Sequence, residues 1–409
     1  MIDLDLTAMA HGGSALGRHA GRVVFVPYAI PGERVRIELV ETHARWAQAR
    51  LLDVLEPSPH RVEGPCPYFG PGKCGGCQIQ HIAYEAQLEF KRQVLVDQLE
   101  RISGLAGIDV QETIGAVRPW DYRNHVQFSV TDQGKLAFER ITGQELIPVE
   151  LCLIIDPLLD ELWAALDIEW PQLRRLTLRC GAATGDQMAI FELDEYEDFD
   201  IEVDFPVSCV IRLADGESVV LMGDSSLVEH VAGRDYRVSA GSRFPVNTAA
   251  AEGLVELVRS YLAPSGREAL LDLYSGVGLY GLALAGQVGL VTAVESDASA
   301  AADFRHNALG QDHVELIEGD VATALSLLAE LSPGSLLVLD PPRAGAGAQV
   351  IAEIARLDPQ RVAYVSCDPA TLARDGRLLV DAGYNLVQVQ PVDVFPQTYH
   401  IESVALFTR

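Results

Sequence analysis

The chain has 409 residues, with 31 Lys and Arg against 58 Asp and Glu, so its formal net charge is −27. Apolar residues make up 48% of it, which excludes a disordered, collagen-like or coiled-coil protein and, at roughly 100–200 residues per domain, predicts two to four domains. No apolar run approaches the ~18 residues of a membrane span, and the first residues lack a signal pattern. We therefore expect a cytoplasmic protein without membrane contact, and we expect a monomer.

The acidic excess is concentrated in one stretch of the chain. Residues 181–235 hold 14 acidic and 2 basic residues, and the centre of this stretch, 192–204, is acidic at eight of thirteen positions. We interpret this run as a solvated surface. The negative net charge argues against nucleic acid as a partner. Residues 1–56, with 6 basic and 7 acidic residues, are nearly balanced, so a local RNA-binding face stays compatible with the charge.

The first 56 residues predict a small all-β barrel. Alternating or apolar runs cover 23–26, 34–39 and 46–54, and Pro57-Ser58-Pro59 follows as a linker. Small barrels of the OB type often bind oligonucleotides, although a purely structural barrel fits the pattern nearly as well. The arginines that could line one face are Arg34, Arg36, Arg45 and Arg50.

A cysteine-rich segment and an amphipathic helix at 84–103 come next. Cys66, Cys74 and Cys77 lie in a loop rich in Gly and Pro, and Cys152 is the candidate for a fourth ligand. From the spacing alone, zinc, an iron–sulfur cluster and disulfides are all open. A cytosolic setting disfavours disulfides.

The last third of the chain alternates between strand and helix patterns. This alternation predicts a mostly parallel, doubly wound sheet, whose ligands bind at the carboxyl ends of its strands. The predicted strands cover 269–274, 290–294, 314–317, 335–339, 362–365, 385–390 and 403–407.

A glycine turn after the first of these strands predicts a nucleotide site. Tyr274 precedes Gly276 and Gly278, whose backbone can approach a ligand closely. A third glycine is missing, so NAD is not favoured. Glu295 ends the next strand, where it can bind a ribose diol, and Asp320 follows the third strand, near the expected adenine. We predict an S-adenosylmethionine (SAM) site, with a simple tight turn as the alternative.

Three further residues carry the chemistry. Asp340 begins the sequence Asp-Pro-Pro-Arg, in which two prolines hold the chain extended; the alternative is a surface Asp in a capped loop. Cys367 follows a buried strand and precedes a helix. It is either a buried spectator or a thiolate favoured by the polar turn and the helix N-terminus. Glu402 stands at the entry to the last strand.

Together these segments resemble the RNA uracil-C5 methyltransferase family of the TrmA/RumA type, which makes 5-methyluridine in tRNA or 23S rRNA. The resemblance is carried by Gly-Val-Gly at 276–278, DPPR at 340–343, SCDPATLARD at 366–375 and FPQTYHIE at 395–402. It covers the whole chain in order. The N-terminal barrel resembles the TRAM RNA-binding domain of the rRNA-modifying branch.

The resemblance implies a role for each of these residues. The Cys367 thiolate would add to C6 of uracil, and Glu402 would remove the C5 proton after methyl transfer. Asp340 would position the base or the cofactor. The target uridine must be unpaired or flipped out. The residues expected to bind SAM are Tyr274, Gly276, Gly278, Glu295, Asp320, Asp340 and Asn247.

For the cysteines, the resemblance points to a [4Fe–4S] cluster on Cys66, Cys74, Cys77 and Cys152, with zinc as the alternative. Its expected function is to shape the central domain and the RNA contact. The two remaining cysteines, Cys180 and Cys209, are interpreted as core residues.

One segment departs from the family pattern, which usually reads Gln-x-Asn. Pro245 stands in the position of that glutamine, whereas Asn247 is kept. A side-chain hydrogen bond to cofactor or uracil is therefore missing or supplied elsewhere. In another similar segment, 120–128, Arg123 could neutralise a phosphate or be an ordinary strand residue.

Together these features predict a chain of three parts. Residues 1–57 form a TRAM-like barrel, 58–240 a mixed α+β domain with the cysteines, and 241–409 a Rossmann-like SAM methyltransferase domain. We predict methylation of 23S rRNA, because the barrel and the cysteines favour it over tRNA. The other alternative is a non-catalytic RNA-binding iron–sulfur protein.

Overall fold

A computed structural model of the chain describes residues 1–141, 143, 145–166, 168, 170, 172–196, 203, 205–329 and 331–409. Residues 197–202 and 204, which form most of the predicted acidic surface, lie outside this set. None of the described helices is long and apolar enough to cross a membrane.

The N-terminal residues form the predicted barrel, which is closed by five strands in the order β1-β2-β3-β5-β4. The strands are β1 (Ile2–Met9), β2 (Ser14–His19), β3 (Arg22–Pro27), β4 (Arg34–Thr42) and β5 (Trp46–Glu56). The first two strands were missed, although Leu4 and Leu6 alternate with acidic residues and point into the core. Gly17 of β2 faces the backbone of β1, where a Cβ would lie 2.7 Å from the Asp5 carbonyl oxygen.

The central part contains a seven-stranded sheet with the order β12-β11-β10-β9-β6-β7-β8. Its strands are β6 (His125–Val130), β7 (Leu136–Glu139), β8 (Leu146–Pro148), β9 (Arg175–Cys180), β10 (Gln187–Leu193), β11 (Ser208–Leu213) and β12 (Ser218–Met222). Helix α1 (Tyr84–Gln98) continues into a π-helical turn at Leu99–Ser103 and so matches the predicted helix. Helix α2 (Pro157–Ala165) begins where the Asp156 carboxylate accepts the Leu158 N–H.

The C-terminal part contains the predicted doubly wound sheet, preceded by a hairpin of β13 (Ser226–Val231) and β14 (Arg234–Ser239). Its strands are β15 (Ala269–Leu273), β16 (Leu290–Glu295), β17 (Val314–Glu318), β18 (Leu336–Leu339), β19 (Arg361–Ser366), β20 (Asn385–Val392) and β21 (Glu402–Thr408). All seven predicted strands are present in this sheet. Its order is β17-β16-β15-β18-β19-β21-β20.

Helices cover both faces of this sheet because alternate strand residues bury opposite sides. Leu270 packs in one apolar layer with Val258, whereas Leu271 packs in the other with Ile354. Each fully buried Leu contributes about 1.5–3 kcal/mol. The helices are α3 (Thr248–Leu262), α4 (Leu279–Leu284), α5 (Ala298–Asn307), α6 (Val321–Leu327), α7 (Gly347–Leu357) and α8 (Pro369–Asp381).

Strand β21 is the exception to the parallel arrangement, since it pairs antiparallel with both β19 and β20. Its first residue, Glu402, therefore lies at the edge of the sheet where the parallel strands end. This reversal brings the start of one strand to the expected ligand-binding edge.

Candidate functional site

A cavity of about 530 Å³ opens at the carboxyl edge of the C-terminal sheet. Six of the predicted site residues line it, from four different strand ends and the glycine turn. These residues are Tyr274, Gly276, Glu295, Asp340, Cys367 and Glu402. The structure thus gathers at one cavity residues that are up to 128 positions apart in the chain.

The glycine turn owes its shape to residues at positive φ. Gly276 has φ +56° and Gly278 has φ +100°. At Gly278 a Cβ would lie 2.5 Å from the Leu282 side chain and 3.0 Å from Phe304, so only glycine fits. Gly278 does not itself line the cavity but begins α4.

Glu295 is held rigidly beside this turn. One of its carboxylate oxygens accepts the Gly276 N–H at 2.8 Å, and the other accepts the N–H groups of Ser296 and Asp297 at 2.7 Å each. Its exposed fraction is 9%. Three backbone donors therefore fix the carboxylate at the cavity wall, where about one of its roughly four lone-pair sites remains for a hydroxyl donor.

Two predicted cofactor ligands serve as helix caps instead of lining the cavity. The Asp320 carboxylate is exposed and accepts the Thr323 N–H at 2.9 Å at the start of α6. Asn247 is buried; its side-chain oxygen accepts the Ala250 N–H and its amide donates to the Val394 carbonyl at 3.2 Å. Neither side chain is among those around the cavity.

The three predicted chemical residues come from adjacent strands. Asp340 follows β18, Cys367 follows β19, and Glu402 opens β21. The Asp340 N–H donates to the Leu273 carbonyl at 3.2 Å, which ties this strand end to β15. The arrangement places a thiol and two carboxyl groups at one end of the cavity.

The two carboxyl groups favour their protonated forms. Burial raises the pKa of Asp340 to about 7. Burial and the neighbouring Asp340 raise the pKa of Glu402 well above its usual range, while Arg343 opposes the shift. Asp340 can therefore exchange a proton near neutral pH, and Glu402 holds its proton more readily than an exposed glutamate does.

The surroundings of Cys367 oppose the expected thiolate. Burial first, and then Glu402 and Asp340, raise the pKa of the Cys367 thiol to about 12, although Arg343 lowers it. The N-terminus of α8 does not offset this, because its first N–H groups, those of Ala370 and Thr371, donate to the Asp368 side chain. These surroundings favour the neutral thiol, so formation of the thiolate needs a nearby base or a nearby positive charge.

Pro245 lines the same cavity and offers no side-chain donor. Its carbonyl oxygen accepts the Asn124 side-chain amide at 3.1 Å, which joins it to the central part of the chain. Arg243 and Phe244 line the cavity beside it.

A second cavity, of about 210 Å³, lies in the central part and is lined by all four predicted cysteines. The rest of its wall is mostly apolar and includes Tyr68, Phe69, Phe138 and Leu151. Burial raises the pKa of Cys77 to about 12 and that of Cys152 to about 11, and the neighbouring thiols add to both shifts. Within the part of the chain that the structure describes, no three His, Cys, Asp or Glu side chains gather closely enough to hold a metal ion.

The other predicted cysteines and arginines have structural surroundings. Cys180 and Cys209 are buried core residues, as predicted. Arg123 lines the cysteine cavity and donates to the His125 carbonyl at 3.0 Å. Three of the four barrel arginines pair with acids: Arg34 with Glu56, Arg36 with Asp3 and Arg50 with Glu38.

Sequence reasoning missed the residues that hold the segment before Glu402. Among them is Lys91, which is 4% exposed and donates to the Asp393 carboxylate at 2.6 Å. A signal was present, since Lys91 is one of only three lysines in the chain and lies in an amphipathic helix.

Comparisons with known proteins agree with this geometry. Residues 2–52 match the TRAM domain family, and residues 328–409 match the family described as tRNA (Uracil-5-)-methyltransferase. The chain is 36% identical to an uncharacterized RNA methyltransferase of Streptomyces avermitilis, over 99% of this chain and 97% of that protein. It is 34% identical to another from Caldanaerobacter subterraneus, over 100% and 98%.

A solved structure shares the whole fold. It is the crystal structure of Pyrococcus abyssi tRNA (uracil-54, C5)-methyltransferase in complex with S-adenosyl-L-homocysteine, with a TM-score of 0.78 and 24% sequence identity. The superposition covers 100% of both chains. This likeness supports the expected arrangement of a barrel, a central domain and a C-terminal sheet.

Proposed function

Since the chain belongs to the RNA (uracil-5-)-methyltransferase family, we propose that it methylates C5 of a uridine in 23S rRNA through a covalent adduct with Cys367. The observation that carries this proposal is the convergence of Cys367, Asp340 and Glu402 at one cavity beside the glycine turn. The proposed nucleophile, the proposed base and the residues proposed to bind the cofactor then line one cavity.

The methyl donor is SAM, which supplies an electrophilic methyl group when bound. The turn at Gly276 and the fixed carboxylate of Glu295 suit an adenosine moiety, because they offer close backbone approach and hydroxyl acceptors. The P. abyssi enzyme was crystallised with S-adenosyl-L-homocysteine, the demethylated product of SAM, which supports the proposal. The proposed SAM-binding residues are Tyr274, Gly276, Gly278, Glu295, Asp320, Asp340 and Asn247.

The first step is addition to the uracil. Cys367 passes its proton to the neighbouring Asp340 carboxylate, whose raised pKa suits it to accept a proton, so Glu402 stays available for the later step. The sulfur then bonds to C6, and the C5–C6 electron pair moves to make an enolate. Without this adduct, C5 is too weak a nucleophile to take the methyl group.

The later steps release the product. The enolate carbon C5 bonds to the methyl group, which leaves a proton on C5. Glu402 in its ionised form removes that proton, and the electron pair expels the Cys367 thiolate from C6. Asp340 lies beside both groups and positions the uracil or the reacting methyl group.

The target uridine must leave its stack to enter the cavity. The TRAM match at residues 2–52 supports an RNA substrate, and we propose 23S rRNA because the barrel resembles that of the rRNA-modifying branch. The alternative is tRNA, since the matched family and the P. abyssi enzyme are both described by that substrate. Mapping of 5-methyluridine by mass spectrometry in rRNA and tRNA from a deletion strain decides between them.

For the second cavity we propose a [4Fe–4S] cluster on Cys66, Cys74, Cys77 and Cys152. Four thiols in an apolar pocket fit thiolate ligation, which lowers their raised pKa values when a metal binds. Zinc stays the alternative, and the centre has a structural role.

The experiment that tests the reaction uses RNA with 5-fluorouridine. Fluorine at C5 cannot leave as a proton, so an active enzyme incubated with SAM accumulates a covalent protein–RNA adduct through Cys367. Absence of an adduct with any rRNA or tRNA, while SAM still binds, would overturn the enzymatic proposal in favour of a non-catalytic RNA-binding protein.

Three further proposals follow from the sequence. The domains extend over residues 1–57, 58–240 and 241–409; the protein is a monomer; and it acts in the cytoplasm.

A further inference from the structure

The segment that precedes Glu402 is held by the central part of the chain rather than by its own sheet. We call residues 393–401 the base loop, because it joins β20 to β21 and ends at Glu402. Its residues from 393 to 398 are all buried or nearly so. The position of Glu402 therefore depends on what holds this loop.

Gln397 is the most heavily tied residue of the base loop. Its carbonyl accepts the N–H groups of Gln78 and Ile79 at 3.1 and 3.2 Å. The Gln87 side chain makes two more hydrogen bonds, accepting the Gln397 N–H at 3.2 Å and donating to its side-chain oxygen at 2.9 Å. The side-chain amide of Gln397 donates to the Pro119 carbonyl at 3.4 Å.

The backbone of Gln397 needs these contacts. Its φ is +67°, in the left-handed region that a residue with a Cβ rarely adopts. Such a conformation persists only when the surroundings hold it. Loss of the contacts would let the base loop relax.

Two further residues tie the neighbouring positions of the loop. Tyr122 donates its hydroxyl to the Pro396 carbonyl at 3.1 Å. Lys91 donates to the Phe395 carbonyl at 3.0 Å as well as to Asp393. Both residues, like Gln78 and Gln87, belong to the central part of the chain.

The same contacts lead to the cysteine cavity. Gln78 directly follows Cys77, and its side-chain oxygen accepts the Tyr399 N–H at 3.4 Å. One peptide bond thus separates a cysteine of the cavity from a residue that holds both ends of the Gln397–Tyr399 segment.

We propose that Gln78, Gln87 and Tyr122 are positioning residues that hold the base loop, and that the cysteine centre sets the position of Glu402 through them. This inference rests on the proposed function. It predicts an effect of the cysteine centre on one step of the reaction. When the centre is not assembled, Glu402 removes the C5 proton more slowly. Formation of the Cys367 adduct, which does not need Glu402 as a base, is spared.

The test is single-turnover methylation with Gln87→Ala and Tyr122→Phe, compared with Gln93→Ala as the control. Gln93 lies on the same helix but is exposed and contacts Glu89. We expect adduct formation within about twofold of wild type and adduct decay about fivefold to tenfold slower, the effect of losing one or two hydrogen bonds. A denaturation-resistant methylated protein–RNA species then accumulates.

A merely structural role would slow formation and decay together, and that result, or unchanged decay, would overturn the inference. Failure of the proposed function would give a different result from failure of this inference. In that case Glu402→Gln, like the Gln87 and Tyr122 variants, would accumulate no adduct. If Glu402→Gln accumulates it and the Gln87 and Tyr122 variants do not, only the inference fails.

The connection to the cysteines is tested by amide hydrogen exchange, which needs no substrate. In Cys77→Ser, we expect faster exchange in residues 393–401, whereas Cys209→Ala, a core change elsewhere, leaves exchange in that segment unchanged. Equal protection of the base loop in Cys77→Ser and wild type would overturn the coupling.

Discussion

Cys367 and Glu402 flank the paired residues Ser366 and Ser403 of β19 and β21, so they lie next to each other across two antiparallel strands. They are 35 residues apart in the chain. The reversal of β21 makes this pairing possible, since it presents the start of that strand where β19 ends. The proposed nucleophile and the proposed base are therefore positioned by the hydrogen-bonded pairing of the two strands.

Replacement of the base should trap the reaction after methyl transfer. In Glu402→Gln the C5 proton has no acceptor, so the adduct forms but does not decay, and a denaturation-resistant protein–RNA band carrying the methyl label accumulates. The control is Glu252→Gln, an exposed residue of α3. Release of methylated RNA by Glu402→Gln at the wild-type rate would contradict the assignment of Glu402.

Replacement of the nucleophile should remove both adduct and product. We expect Cys367→Ala to lower the methylation rate by at least about 10³-fold while SAM affinity stays within a few-fold of wild type. Rates come from labelled methyl transfer and affinity from calorimetry. Cys209→Ala is the matched cysteine control, and adduct formation by Cys367→Ala would assign the nucleophile elsewhere.

The carboxyl pair predicts how activity depends on pH. Since the pKa of Asp340 is about 7, this carboxyl group loses its capacity to take the thiol proton as the pH falls. The pKa of Glu402 is also raised, and this residue must be ionised to act as the base. We expect kcat/KM to rise with pH through about 7. A profile that is flat between pH 6 and 9 would show that neither carboxylate takes part.

The same pKa shift predicts a stability change with a definite sign. The pKa of Asp340 is about 7 in the folded chain, above its ordinary value of 3.8, so the folded state keeps a proton that the unfolded state releases. The stability contribution is present below about pH 4 and is lost as the pH rises through 7. Asp340→Asn should therefore raise Tm relative to wild type at pH 8 and not at pH 4.

An opposite control is available at Asp320, whose pKa is lowered by hydrogen bonds from the Thr323 backbone and hydroxyl. Asp320→Asn should lower or leave unchanged the Tm at pH 8, because it keeps an N-cap acceptor but removes a negative charge from the N-terminus of α6. A higher Tm for both variants at pH 8 would attribute the effect to net charge instead of burial.

The proposed iron–sulfur cluster has a direct optical test. Serine variants of Cys66, Cys74, Cys77 and Cys152 should each lose iron and the brown absorbance near about 400 nm of protein purified without oxygen. Cys180→Ala should keep both. Colourless wild-type protein with stoichiometric zinc would establish the zinc alternative.

Most of the fold and much of the site followed from local patterns. The strand ends at Asp340, Cys367 and Glu402 could be placed because buried strands are continuous apolar runs, and glycine or proline turns end them. The glycine turn was found for the same reason. Strands β1 and β2 were missed, although Leu4 and Leu6 carried a usable alternation.

The structure differs from expectation in properties that depend on burial and on distant partners. Asp320 and Asn247 are helix caps here, and their expected place near the cofactor came from motif position alone. The neutral thiol of Cys367 arises from burial and from two carboxyl groups that only the folded sheet brings close. The pKa of a side chain is set by its neighbours in space, which local spacing does not contain.

The sequence by itself determined the order of most of the secondary structure and the choice of the proposed reacting groups, because turn chemistry and strand periodicity are properties of neighbouring residues. Only the tertiary structure decided the relative positions and the pKa values of those groups. Gln87 and Gln397 are 310 residues apart, and their hydrogen bonds hold a backbone conformation that neither neighbourhood favours. Contacts of that separation, and the burial they create, exist only after the chain has folded.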